Sequence, residues 1–177
     1  MSSTKPLRAL FFVGDIYEDM ELWYPLYRLQ EAGVETVVAG ETLDTFAGKH
    51  GYPAKAEALV DDMEEADFDA LIIPGGFMPD KLRRNPKVLE LTREFNAAGK
   101  LIGMICHAGW IPISAKILGG RTVTSTPGIK DDMTNAGATW LDQPVVVDGN
   151  FVSARRPPDL PAFGAALVKH LRNTINN

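Results

Sequence analysis

Leu101-Ile102-Gly103-Met104-Ile105-Cys106-His107-Ala108-Gly109-Trp110 changes character at its centre. Five uncharged, mostly apolar residues run straight into a cysteine and a histidine. Leu101 to Ile105 has the length and composition of a buried strand, and the pattern from about His107 to Leu118 predicts a helix. A residue caught between a strand and a helix sits on a sharp turn. Its side chain is pushed out at the sheet edge, the geometry serine hydrolases use for their nucleophile elbow.

The same alternation continues on both sides of this stretch. Leu7 to Val13 reads as a buried strand. Glu18 to Ala32 sets Leu22, Leu26 and Leu29 three to four residues apart, which predicts a helix with one apolar face. Gly33 is a natural stop for it. Pro25 is read as lying near the first turn, where proline costs least. Thr36 to Ala39 is a second strand. Thr45 to Val60 is broken by Gly48, Gly51 and Pro53 and reads as short strands or a loop. Asp69 to Ile73 is a strand that ends abruptly at Pro74-Gly75-Gly76. Pro86 to Ala98 is a helix capped by Asn85. Pro127 to Ala136 is a short helix, and Leu160 to Arg172 a closing amphipathic one. Val145 to Val147 and Phe151 to Ala154 flank Asp148-Gly149-Asn150, a hairpin signal.

Strand and helix in alternation predict an α/β fold with a mainly parallel sheet covered on both faces. No linker, repeat or low-complexity tract interrupts the pattern, so residues 1–177 are expected to form one domain. In such sheets reactive groups gather outside the carboxyl ends of the strands. Three features fall there: Asp15 to Glu18, Pro74-Gly75-Gly76 and Cys106-His107.

Composition narrows the function. The chain has 177 residues, 45% of them hydrophobic and 23% charged, which excludes a disordered or collagen-like chain. Eighteen basic residues face 23 acidic ones, a net charge of −5 with no basic block, so a nucleic-acid partner is not expected. The apolar run Ala9 to Val13 is too short for a membrane span or a signal-peptide core, which makes the cytoplasm the expected compartment and excludes a membrane partner. A single cysteine cannot close an internal disulfide or build a cysteine-rich metal site. Histidine-rich and HExxH patterns are absent, as are GxGxxG and GxxxxGK[ST]. No metal and no cofactor is therefore expected.

Cys106 has two readings. It could be a small buried residue, as free cysteines often are. Its place at a strand end, ahead of a helix N-terminus and beside His107, favours a reactive thiolate instead. Sequence neighbours do not face each other on a regular helix, so His107 can serve as its base only if the elbow is irregular. His50 lies in a loop and reads as structural, and His170 as a surface residue. Pro74-Gly75-Gly76 is either a plain tight turn or a place where backbone amides, with that of His107, hold an oxyanion. Glu18 is either a helix-start acid or a buried carboxyl kept protonated beneath the thiolate. Asp15, Glu18, Asp19 and Glu21 cluster there, and composition alone does not choose among them.

Several segments together resemble the ThiJ/PfpI superfamily, and within it the PfpI-type intracellular cysteine peptidases and general stress proteins. They are Tyr17-Glu18-Asp19-Met20-Glu21-Leu22, Gly48-Lys49-His50-Gly51-Tyr52, Phe68 to Gly76, Ile105-Cys106-His107, Pro127 to Met133, Asn135-Ala136-Gly137 and Val145 to Asn150. The resemblance runs from about Leu7 to Leu171. It implies a flavodoxin-like three-layer sandwich, with Cys106 as nucleophile and Glu18 as its buried carboxyl neighbour. It also implies an oxyanion site formed by Gly76 and the His107 amide. Relatives of the PfpI type orient the histidine with a glutamate from a neighbouring subunit. The matching position here is Asp80, so the resemblance implies a homodimer or larger homo-oligomer. The implied substrates are peptides or small carbonyl compounds such as methylglyoxal and early glycated side chains; the implied alternative is a redox-sensing stress protein or chaperone whose Cys106 oxidises to sulfinic acid. Two departures stand out. Cys106-His107-Ala108-Gly109-Trp110 replaces the family's Cys-His-Gly-Pro-Gln, which places an indole where it would either narrow the pocket or fill core under the helix. Thr126 stands where other relatives carry a histidine, so any histidine chemistry falls to His107.

Overall fold

A computed structural model describes residues 6–175. The reading of residues 1–5 lies outside them. The strands are β1 (Arg8–Phe12), β2 (Glu35–Gly40), β3 (Thr45–Ala47), β4 (Pro53–Lys55), β5 (Ala58–Leu59), β6 (Ala70–Ile73), β7 (Leu101–Ile105), β8 (Thr122–Val123), β9 (Thr139–Trp140), β10 (Val145–Asp148) and β11 (Phe151–Ala154). The helices are α1 (Asp19–Glu31), α2 (Met78–Leu82), α3 (Pro86–Ala97), α4 (Trp110–Ala115), α5 (Lys130–Asn135) and α6 (Leu160–Ile175).

Seven strands form the central sheet in the order β10-β11-β7-β6-β1-β2-β5. Every pairing is parallel except the β10–β11 hairpin. Helices α1 and α6 pack together over one face, and α3 and α4 over the other. This is the expected mainly parallel three-layer α/β fold. The apolar runs are continuous because both faces are covered: β6 and β7 are buried along their whole length.

The sheet reverses direction at β1. From β1 the chain builds outward through β2, then returns to lay β6 on the opposite side. The connections after β1 and β6 therefore part at this point and leave a crevice beyond the strand ends. The Asp15–Glu18 and Pro74–Gly76 segments border it, and Cys106 closes it from β7.

Some local readings change. Helix α1 runs through Pro25 rather than starting near it. Proline removes one amide, so the helix gives up a hydrogen bond at that turn. Burial of Leu22, Pro25, Leu26 and Leu29 offsets the loss. The helix expected from His107 to Leu118 is broken into a tight turn over Cys106–Gly109 and the six-residue α4, which ends at left-handed Lys116. The helix expected over Pro127 to Ala136 likewise begins as a tight turn, Pro127–Ile129. Asn85 caps α3 as expected, its side chain accepting the Lys87 amide at 2.9 Å. No helix among the described residues is long and apolar enough to cross a membrane.

Candidate active site

Cys106 ends β7, which lies between β6 and β11 in the sheet. Its position is fixed by a buried strand, and the chain must turn at once. Cys106 takes φ +63°, in the left-handed region. A residue with a β-carbon pays about 1–3 kcal/mol for that conformation, which persists only where the surroundings enforce it. The irregular turn brings sequence neighbours face to face: Cys106 Sγ lies 3.3 Å from His107 Nδ1. The amides of Gly76 and His107 also point at the sulfur.

A cavity of ≈ 500 Å³ opens over the half-buried thiol. Glu18, Glu21, Lys49, His107, Trp110 and Arg156 are in its wall. The Trp110 ring lies 4.9 Å from that of His107, and its N–H donates to Asp132 Oδ2 at 3.0 Å. The indole therefore lines the cavity.

The carboxyl that touches the thiol is Glu21 rather than Glu18. Glu21 is fully buried and its charge acts on Cys106. Its Oε2 accepts the Gly75 amide at 2.8 Å. Its Oε1 is buried with no hydrogen-bond partner. Glu18 is also buried and lines the cavity, but its Oε2 faces His50 Nε2 at 3.4 Å. The two glycines likewise separate in role. Gly76 aims its amide at the sulfur, whereas that of Gly75 is committed to Glu21. Asp80 sits on α2, where it accepts a hydrogen bond from Arg84 of the same chain.

Burial pushes the Glu21 carboxyl up to about 8, against the Gly75 amide and with the charge of Glu18 adding to the rise. Burial, then the charge of Glu21, pushes the Cys106 thiol up to about 12. The thiolate expected from the elbow is thus opposed, and the short turn that follows Cys106 does not offset its burial. A neutral Glu21 is the form that suits the pair at pH 7: its repulsion vanishes and its O–H can donate to the sulfur. Burial, then the charge of Lys49, lowers His107 and keeps it a neutral acceptor.

These shifts give a stability prediction. A carboxyl that holds its proton more tightly in the folded chain stabilises fully below its unfolded value near 4.5, and that stability declines as pH rises to about 8. Glu21→Gln removes the proton exchange. Between pH 4.5 and 8 the wild type should therefore lose on the order of 4 kcal/mol more than the variant. Urea unfolding of both proteins at the two pH values measures the difference; parallel losses would refute it.

Sequence reasoning left Glu21 undistinguished within its acid cluster and did not single out Lys49, His50 or Arg156 for the site. Glu21 carried a usable signal: it shares the buried stripe of α1 with Pro25 and Leu29, four residues apart, where an acid is out of place. His50, read as structural, lines the cavity. Among the described residues, Glu18, Asp19 and His50 bring possible metal-ligand atoms within 4.8 Å of one another. Both Asp19 oxygens already accept backbone amides, those of His50 and Tyr52 at 2.9 and 2.8 Å. The grouping acts as an anchor for the loop that carries Lys49 and His50.

The chain belongs to the DJ-1/PfpI family, which residues 7–170 match. It is 46% identical over 166 residues to a deglycase of Pyrococcus horikoshii, covering 94% of this chain and all of that one. It is 42% identical over 150 residues to general stress protein 18 of Bacillus subtilis, covering 83% and 87% of the two chains. The crystal structure of a two-domain Anabaena variabilis protein, with DJ-1/ThiJ/PfpI-like and ferritin-like domains, superimposes with a TM-score of 0.92 at 36% identity. The match covers 93% of this chain and 48% of that one.

Proposed function

We propose that the protein is a cysteine-dependent hydrolase acting on the carbonyl of a small compound or peptide, with Cys106 as nucleophile. The observation that carries this is the left-handed elbow, which sets Sγ 3.3 Å from His107 Nδ1 at the floor of an open cavity. Sulfur attacks the carbonyl carbon and an S–C bond forms. The thiol proton passes to His107 Nδ1, and the carbonyl electron pair moves to oxygen. Amides of Gly76 and His107 are placed to hold that oxyanion. With a peptide, collapse expels the amine, which takes the proton from His107. With methylglyoxal, the oxyanion takes that proton to give a hemithioacetal, whose C1 proton then moves through His107 to C2 to give a lactoyl thioester. Water hydrolyses either thioester and frees the thiol. Glu21 serves as a neutral donor to the sulfur, and Glu18 as a second buried acid in the wall. In a homo-oligomer, Asp80 of a neighbouring copy would orient His107. Deglycase names among the relatives and the indole of Trp110 in the wall favour small carbonyl compounds, methylglyoxal among them, over long peptides.

The test is inactivation by iodoacetamide, monitored as turnover of methylglyoxal and of a fluorogenic peptide. One label per chain should abolish whichever turnover is present, since Cys106 is the single cysteine. Full activity in the labelled protein would overturn the assignment.

A second reading rests on Glu21. A protonated carboxyl held against the sulfur would hydrogen-bond a sulfinate as readily as a thiol, and would halt oxidation at that stage. After mild peroxide, mass spectrometry should find a two-oxygen gain at Cys106 in the wild type and further oxidation in Glu21→Ala. The same product in both proteins would remove Glu21 from this role.

A further inference from the structure

Several basic side chains elsewhere on this acidic protein are paired with carboxylates. Lys81 lies against Asp15, Arg84 against Asp80, Lys100 against Glu65, and Arg155 against both Asp142 and Asp159. Lys49 and Arg156 are among those that are not, and they are set apart by their place. Both are exposed, both line the cavity over Cys106, and among the described residues neither makes a salt bridge with a carboxylate. They come from separate walls: Lys49 from the loop between β3 and β4, Arg156 from the segment after β11. The Lys49 backbone is fixed, since its amide donates to Tyr17 O at 2.7 Å. Its charge is felt by both His107 and Glu21, so the ammonium lies within electrostatic range of the reacting groups. Arg156 stands directly before Pro157 and Pro158, which stiffen the backbone beneath it.

The negative groups in the wall do not cancel this pair. Glu21 is the buried acid that favours its neutral form, and Glu18 is turned toward His50. The amides of Gly76 and His107 add two more donors beside the sulfur. A neutral carbonyl compound has no use for two free cations. A compound with a carboxylate near its carbonyl would be held by both while the carbonyl meets Cys106.

We propose that Lys49 and Arg156 form an anion subsite that selects small carbonyl substrates bearing a carboxylate. This rests on the nucleophile reading above and adds the charge of the substrate's second group.

The experiment compares alkylation of Cys106 by iodoacetate and by iodoacetamide at pH 7.5. In both reactions the sulfur bonds to the methylene carbon, iodide leaves, and the thiol proton passes through His107 to solvent. The reagents differ in one carboxylate. Wild type should react with iodoacetate at least about ten times faster, relative to iodoacetamide, than a free thiol does. Lys49→Met and Arg156→Met should each reduce that ratio several-fold, and raised salt should reduce it in the wild type. A ratio equal to that of a free thiol, or one unchanged in both variants, would overturn the subsite and leave Cys106 as nucleophile. Failure of both reagents to label the protein would instead overturn the nucleophile reading itself.

Discussion

Replacing Cys106 by serine is expected to lower kcat/KM for methylglyoxal, or for whichever substrate the wild type turns over, by about 10³-fold or more. The change keeps the shape of the side chain and its contacts. The amides of Gly76 and His107 still find an acceptor, and Glu21 can still donate to it. What is lost is the soft, polarisable sulfur, which attacks carbonyl carbon far more readily than a hydroxyl does. His107 is lowered below its ordinary range, so it is a weak base for a serine alcohol. Stability should move by only about 1 kcal/mol, since one hydrogen-bonding atom replaces another. Steady-state kinetics on both proteins, with urea unfolding as the control for folding, measure the two effects. Equal rates would remove the hydrolase reading.

Gly76→Ala is expected to damage both fold and site. Gly76 has φ +78°, and a β-carbon there would lie 2.4 Å from Ile16 O and 2.5 Å from the Glu18 amide nitrogen. Both are backbone atoms, with no flexible side-chain end to move away. The left-handed conformation costs about 1 kcal/mol by itself. Gly99→Ala supplies that part alone, since Gly99 has φ +68° and open space around it. Gly76→Ala should therefore exceed Gly99→Ala by about 2 kcal/mol or more in unfolding free energy. The shift also carries the Gly76 amide away from the sulfur. Loss of one oxyanion donor lowers turnover by about 10²–10³-fold. Equal destabilisation of the two variants would show that the loop yields to the added methyl group.

The readable parts of the chain were those governed by local chemistry. Leu101–Ile105 is a strand because nothing in it is charged, and Cys106 stands out because the run stops there. Asn85 before Pro86 marks a helix start by its own hydrogen-bonding capacity. Pro74-Gly75-Gly76 marks a turn because few other sequences turn so tightly. Other parts depended on partners distant in sequence. Glu21 outranks Glu18 at the thiol because the Gly75 amide reaches back to it, a contact no local pattern encodes. The expected helix after His107 breaks because Cys106 is forced left-handed by the strand before it. Strands β8 and β9 hold two residues each, too few for any periodicity to show. Lys49, His50 and Arg156 lie on loops whose convergence depends on the finished sheet.

The loop after β1 and the loop after β6 are laced together. Tyr17 and Gly76 form an isolated bridge, Glu18 donates its amide to Gly75 O, and Phe77 donates to Ile16 O. That lacing makes the acid-bearing rim and the glycine rim one stiff jaw. A bulky molecule therefore gains no entry by parting these two rims, and hydrogen exchange at the Glu18 and Phe77 amides should stay slow.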